Sequence, residues 1–217
     1  MADNRESDIY RDFITKVPVR QDDVDFFSSL PLAKPYINIS SAYQPIPFMT
    51  RYDKENTSDT FFSRVINTPD TIPRLLALMR RTALQQSNNR GESKNQQAQG
   101  PGQPYFVTFV HLGSGVNGYQ DTVHGGVLAS LFDETLGLCA ETFRQFASKD
   151  RARLYTASLT VSYRSPVTTP GVVLVKTWVQ QVEGRKWFLE AQLLDADGML
   201  KAEAKSLYIG IRTQAAL

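Results

Sequence analysis

Between residues 154 and 211 four strand-like segments follow one another with almost nothing between them. They cover 154–164, 172–182, 186–194 and 200–211, and the connections read "SPVTTPG", "EGR" and "DADG". Turns this short, built from Gly, Pro, Asp and Ser, reverse the chain, so consecutive strands run antiparallel. A parallel pair would need a crossover of about a dozen residues, for which there is no room. One more strand, "PYFVTFVHL" at 104–112, comes earlier, and a long helix over 122–147 stands between it and the four. Strand, long helix, then four closely spaced strands define an α+β domain with a mainly antiparallel sheet.

The helix begins at a Gly-Gly pair and is unusually apolar. On a wheel of about 100° per residue, Val127, Leu128, Leu131, Phe132, Leu136, Leu138, Cys139, Phe143 and Phe146 spread over more than half the circumference. A surface helix shows a narrower stripe. Either the sheet wraps around it, or another subunit covers its second side. Asp133 sits at the edge of that arc, and its helical neighbours Ala129, Ser130, Gly137 and Ala140 are all small. The acid either faces solvent from a partly exposed helix or meets something that comes close to it.

The rest of the chain is less regular. Prolines at 18, 31, 35, 45 and 47 leave room only for short helices, such as one around 22–30. In "NTPDTIPRLLALMRRTAL" (67–84), Asp70 or Thr71 can cap a helix, Pro73 suits its first turn, and Leu75, Leu76, Leu78 and Met79 form one apolar face. A helix is expected near 70–84. "QQSNNRGESKNQQAQGPGQP" (85–104) has no large apolar residue and reads as a flexible polar loop and a domain boundary. The expected division is an N-terminal arm (1–84), a loop (85–103) and a folded domain (104–213).

Composition removes several function classes. A net charge of +2 over 217 residues gives no electrostatic footprint for nucleic acid. One cysteine excludes a disulfide within the chain, and Cys139 reads as a small core residue. Two histidines and one cysteine are too few for a zinc site, and no metal is expected. No stretch approaches 18 apolar residues, so no membrane span is expected. "MADNRESDIYRDF" carries four acids and no signal-type apolar block, so a cytoplasmic, reducing compartment is expected.

Glycine at a helix start lowers helix stability. What it offers is close approach of a ligand to bare N–H groups at the positive end of the helix dipole. Such donors suit a carbonyl oxygen that becomes an oxyanion during acyl transfer. Asp133 lies seven to eight residues beyond Gly125 and Gly126, about 11 Å along the axis at 1.5 Å per residue. That is too far for both to act on one water. A dyad-related helix would bring the two together, so the spacing points to a site shared in a dimer.

"HGGVLASLFDE" (124–134) resembles the His-Gly-Gly…Asp signature of hotdog-fold acyl-CoA thioesterases. "YTASLTVSYRSPV" (155–167), "VEGRKWF" (182–188) and "EAKSLYIGI" (203–211) resemble the later strands of the vertebrate branch that hydrolyses long-chain acyl-CoA. The resemblance covers roughly 104–212. It implies a hotdog fold, in which a curved antiparallel sheet wraps one long central helix, and homodimers or dimers of dimers whose sheets join edge to edge. It makes Asp133 the catalytic acid, activating water or attacking the thioester. The N–H of Gly125 or Gly126 becomes the oxyanion donor, and His124 orients the loop. Thr156, supplied by the other subunit, positions the water or the acid. Ser162, Arg164, Arg185 and Lys186 fall where that branch contacts coenzyme A, whose phosphates suit a basic pair. No cofactor is implied, because CoA enters as part of the substrate.

Two departures stand out. Some hotdog thioesterases carry an Asn six residues before the His, where this chain has Gly118 with Asn117 one step away; the long-chain branch lacks that Asn too. The stretch 144–153 is longer than in similar chains and is expected to reshape the acyl tunnel. On the strand at 154–164, strict alternation separates Tyr155, Ala157, Leu159, Val161 and Tyr163 from Thr156, Ser158, Thr160, Ser162 and Arg164. His111 reads as structural, and Trp178 and Trp187 as sheet packing. Three functions remain open: hydrolysis of an acyl-CoA, release or reshaping of an acyl or polyketide chain on a carrier protein, and non-catalytic acyl binding. An Asp together with an intact Gly-Gly pair argues against the last. Hotdog dehydratases and hydratases use a different histidine-plus-acid arrangement.

Overall fold

The computed structural model describes residues 5–85, 100–147 and 153–211. In chain order its strands are β1 (Tyr43–Ile46), β2 (Arg74–Arg80), β3 (Phe106–Leu112), β4 (Asn117–Tyr119), β5 (Thr122–Val123), β6 (Leu154–Tyr163), β7 (Gly171–Glu183), β8 (Lys186–Leu194) and β9 (Leu200–Gly210). Its helices are α1 (Arg5–Lys16), α2 (Gln21–Ser28), α3 (Arg81–Gln85) and α4 (Gly125–Ala147). Seven strands form one sheet in the order β1-β2-β3-β7-β8-β9-β6, and every neighbouring pair is antiparallel. β4 and β5 make a separate hairpin just before α4. This is the α+β hotdog arrangement, with the long helix laid across one face of the sheet.

Alternation along the strands shows how the helix is held. On β7, Val173, Val175 and Val179 turn inward; on β8, Trp187, Leu189, Ala191 and Leu193 do the same. They meet Leu128, Leu131, Phe132, Leu136, Cys139 and Phe143 of α4 in one core. Full burial of such side chains stabilises by roughly 1.5–3 kcal/mol each. Cys139 is fully buried, and burial pushes its thiol up to about 12, as fits a core residue. Trp178 and Trp187 are buried in the sheet, and His111 stacks on Phe26 at 5.1 Å.

The wide apolar arc of α4 is covered by the chain's own arm. Tyr10 and Ile14 of α1, with Phe48, Phe62 and Ile66, join the same core from the side away from the sheet. Arg11 donates to the Gln145 carbonyl at 2.9 Å and lies 5.0 Å over the Phe146 ring. The breadth of the arc therefore needs no second subunit.

The helix expected near 70–84 is corrected to a strand. β2 sits between β1 and β3, and only 81–85 is helical. Leu75, Ala77 and Met79 face α4, while Leu76 and Leu78 face a second core under α2 that includes Phe27, Val107, Phe109 and Leu174. A run buried on both faces is apolar throughout, and such a run reads equally as a helix face or a central strand. Pairing with β3 decides it. β1 and β2, assigned by composition to an arm, are thus part of the main sheet. Most of the polar loop at 85–103, and 148–152 of the lengthened stretch, lie outside the described residues.

Candidate active site

The start of α4 is a backbone site. His124 caps the helix: its carbonyl accepts from the N–H of Val127 at 2.9 Å and of Leu128 at 3.3 Å. Its Nδ1 accepts from the N–H of Gly126 at 2.9 Å. A ring accepting at Nδ1 carries its proton at Nε2. The Gly126 donor is thereby committed, whereas the N–H of Gly125 has no acceptor among the described residues. Of the two expected oxyanion donors, the open one is Gly125. It lines a cavity of about 590 Å³ with His124, Leu128, Tyr119, Tyr163, Arg164 and Pro166 among its walls.

Gly118 and Asn117 show what replaces the Asn found in other chains. A β-carbon on Gly118 would lie 2.9 Å from Cδ2 of His124, so glycine lets β4 rest against the imidazole. The Asn117 amide oxygen accepts from the Thr169 hydroxyl instead of turning to the helix start.

Two turns along, Asp133 is half-buried and meets the sheet. Thr156 of β6 donates to its Oδ1 at 2.9 Å. Tyr208 of β9 donates to its main-chain oxygen at 2.8 Å and lies 3.4 Å from Oδ1. Thr156 and Tyr208 are direct cross-strand partners. Asp133 and Thr156 therefore come from the same chain, and whichever subunit supplies one supplies the other. Oδ2 of Asp133 has no partner among the described residues.

Strict alternation placed Thr156 on the face opposite Leu159 and Val161, and this is corrected. The β6–β9 register slips between Thr156 and Ser158, so Ala157 is an extra residue in the ladder. A bulge of this kind resets the phase of a strand. Leu159 and Val161 pack on the core, Tyr163 donates to the Gly125 carbonyl at 2.8 Å, and Thr156 shares their inward face. Tyr163 and Tyr208 went unrecognised as site residues. The sequence did carry a trace of Tyr208: the small residues around Asp133 implied a close neighbour.

The four residues expected at coenzyme A fall into two groups. Arg164 lies at the helix-start end of β6, held by Glu203 at 2.8 Å, with Ser162 exposed nearby. Hydrogen bonds from Arg164 hold the Glu203 carboxyl below its ordinary range. Arg185 and Lys186 lie in the β7–β8 turn; Arg185 donates to the Gly210 carbonyl at 3.0 Å and Lys186 is exposed. On β9, Gly210 and Ala202 mark the two ends, opposite Leu154 and Tyr163. Eight residues at about 3.3 Å per residue put roughly 26 Å between the groups.

Residues 120–202, from the β4–β5 turn into β9, match the family model of the thioesterase superfamily. That stretch is similar to the superfamily over 120–202. Over 105 residues the chain is 32% identical to an acyl-coenzyme A thioesterase, THEM4, of Rattus norvegicus, covering 48% of this chain and 42% of that one. THEM4 of Xenopus laevis is 34% identical over 105 residues, covering 48% and 44%. An uncharacterized mitochondrial membrane protein of Saccharomyces cerevisiae, FMP10, is 32% identical over 107 residues, covering 48% and 43%. The chain thus spans less than half the length of these curated relatives. No helix among the described residues is long and apolar enough to cross a membrane, and they hold no cluster of metal-ligating side chains.

Proposed function

We propose that this domain hydrolyses acyl thioesters, with coenzyme A as the carrier and two copies of the chain sharing each site. The observation that carries the reading is the division along α4. An uncommitted N–H at Gly125 opens on a cavity, and a carboxylate two turns away keeps one oxygen free. Asp133 takes a proton from water through Oδ2 while the water oxygen bonds to the thioester carbon. The carbonyl electron pair moves onto oxygen, where the Gly125 N–H and the helix dipole receive it. Collapse restores the carbonyl and breaks the C–S bond, and the proton held by Asp133 goes to the leaving thiolate. Direct attack by Asp133, with water then opening the anhydride, uses the same groups.

The edge of the sheet supports sharing. β6 has β9 on one side and no strand on the other among the described residues, and Tyr155 and Tyr163 are 53% exposed there. An edge this long, without proline, invites pairing with another strand. Antiparallel pairing of β6 with a second copy sets Tyr163 of one chain against the Thr156 end of the other. The partner subunit's Asp133 then faces this chain's Gly125. The same pairing carries the partner's Arg185 and Lys186 to the end where Arg164 stands, three strand spacings or about 14 Å away. Two basic groups that are far apart within one chain become one phosphate-binding rim.

The test is a hydrolysis panel of acyl-CoAs of graded chain length, each beside its acyl-pantetheine fragment. Hydrolysis of at least one acyl-CoA is expected. Arg185→Ala with Lys186→Ala should raise KM for the CoA ester, leave the fragment nearly unchanged, and lose its effect as salt rises. An equal loss on both esters would mean that the pair supports the fold. Poor turnover of every acyl-CoA, with fast turnover of an acyl-carrier protein, would move the carrier from CoA to protein.

A further inference from the structure

We propose that Tyr208 is a positioning residue for Asp133, holding its main-chain oxygen while Thr156 holds Oδ1, so that Oδ2 is the oxygen that handles the proton. The proposal rests on Asp133 being the base of the reading above. Three features of the site converge on it.

The first is the number of bonds. A phenol has one proton, and this one lies 2.8 Å from the main-chain oxygen of Asp133 and 3.4 Å from Oδ1. The same residue is thus gripped at its backbone by Tyr208 and at its carboxylate by Thr156. Rotation about the bonds between those two points is what carries Oδ2 away from its target. Holding both ends restricts that rotation, and a general base must stay within hydrogen-bond reach of its water.

The second is how the two hydroxyls arrive. Thr156 and Tyr208 face each other across β6 and β9, and the bulge at Ala157 is what keeps Thr156 inward while Leu159 and Val161 also pack inward. The third is the space. Gly137 lies one turn after Asp133, and a β-carbon there would stand 3.4 Å from the Tyr208 hydroxyl. The ring therefore lies against the helix surface at ordinary contact distance. Tyr208 is 3% exposed, and burial followed by the charge of Asp133 pushes its pKa far above the ordinary phenol range. It remains a neutral donor wherever the enzyme works.

Tyr208→Phe tests this directly. Removing the hydroxyl leaves the ring packed and the helix hydrogen bond of Asp133 to Gly137 in place. The expected result is a fall in kcat of roughly tenfold, the kinetic equivalent of one ordinary hydrogen bond, with KM changed less than about twofold. Wild-type kcat, in a protein where Asp133→Asn is inactive, would overturn the positioning role alone. So would a loss of turnover that merely tracks loss of folded protein. Activity retained by Asp133→Asn would instead overturn the functional reading beneath it.

Discussion

At the first turn of α4 the group on offer is backbone and is set by three consecutive residues. His124 caps, Gly126 donates to the cap, and Gly125 is left open. Two turns later the group on offer is a side chain, half-buried, and set by strands that enter the sequence 23 and 75 residues away. The first region works by leaving a donor unpaired. The second works by pairing most of what surrounds one free oxygen. A glycine start is tolerable because the helix is held elsewhere, by a core that runs its whole length. Asp133 has no such latitude, because its position is only as good as the β6–β9 register beneath it.

The largest expected effect comes from the side-chain region. Asp133→Asn keeps shape and removes the base, so hydrolysis should fall by at least about 10²-fold, on the scale of general-base catalysis. Steady-state turnover on the best acyl-CoA checks it, and near-normal activity would erase the contrast between the two regions. The backbone region is probed next, by proline. At the first helical position proline is tolerated by the helix and lacks only the N–H, so Gly125→Pro should lower turnover by about 10²-fold with little loss of stability. Gly126→Pro removes a donor that is already used by His124, so its main cost should be about 1 kcal/mol of helix capping, read as a lower Tm. If the order of the two proline variants in turnover were reversed, the open donor would be Gly126.

The smallest effect separates Asp133 from the acid beside it. Glu134 interacts with Thr50 and Lys54 of the arm, and burial holds its carboxyl above the ordinary range. The folded chain therefore takes up a proton at higher pH than the unfolded chain does. Stability tied to this group is lowest at neutral pH and recovers as pH falls through the folded value. Glu134→Gln should raise Tm by a few degrees at most near pH 7, with the gain shrinking toward acid, and should leave kcat within about twofold. A Tm gain that does not change with pH would place Glu134 in solvent.

What could be read from the sequence follows the same division. The Gly-Gly start of α4, its length, and strands β3 and β6 to β9 were legible because each rests on local pattern or on a short turn. β2 was not, since Leu75 to Met79 is buried on both faces and local periodicity is silent about which partner a run will find. Thr156 was named as a site residue yet placed on the wrong face, because one extra residue at Ala157 reverses the alternation and no turn chemistry announces it. Tyr208 was missed for a related reason. Its contact with Asp133 spans two elements, and only the small residues near the acid hinted that something came close.

The central claim is that the two regions act together only across a dimer, and subunit mixing tests it most directly. Asp133→Asn chains and Gly125→Pro chains are each expected to be inactive as homodimers. A verified heterodimer holds one site with an intact Gly125 and the partner subunit's intact Asp133, and a second site that lacks both. The account predicts recovery of about half the wild-type activity per heterodimer, one site of two. Heterodimers that form and stay as inactive as either parent would contradict it, as would a fully active wild-type monomer.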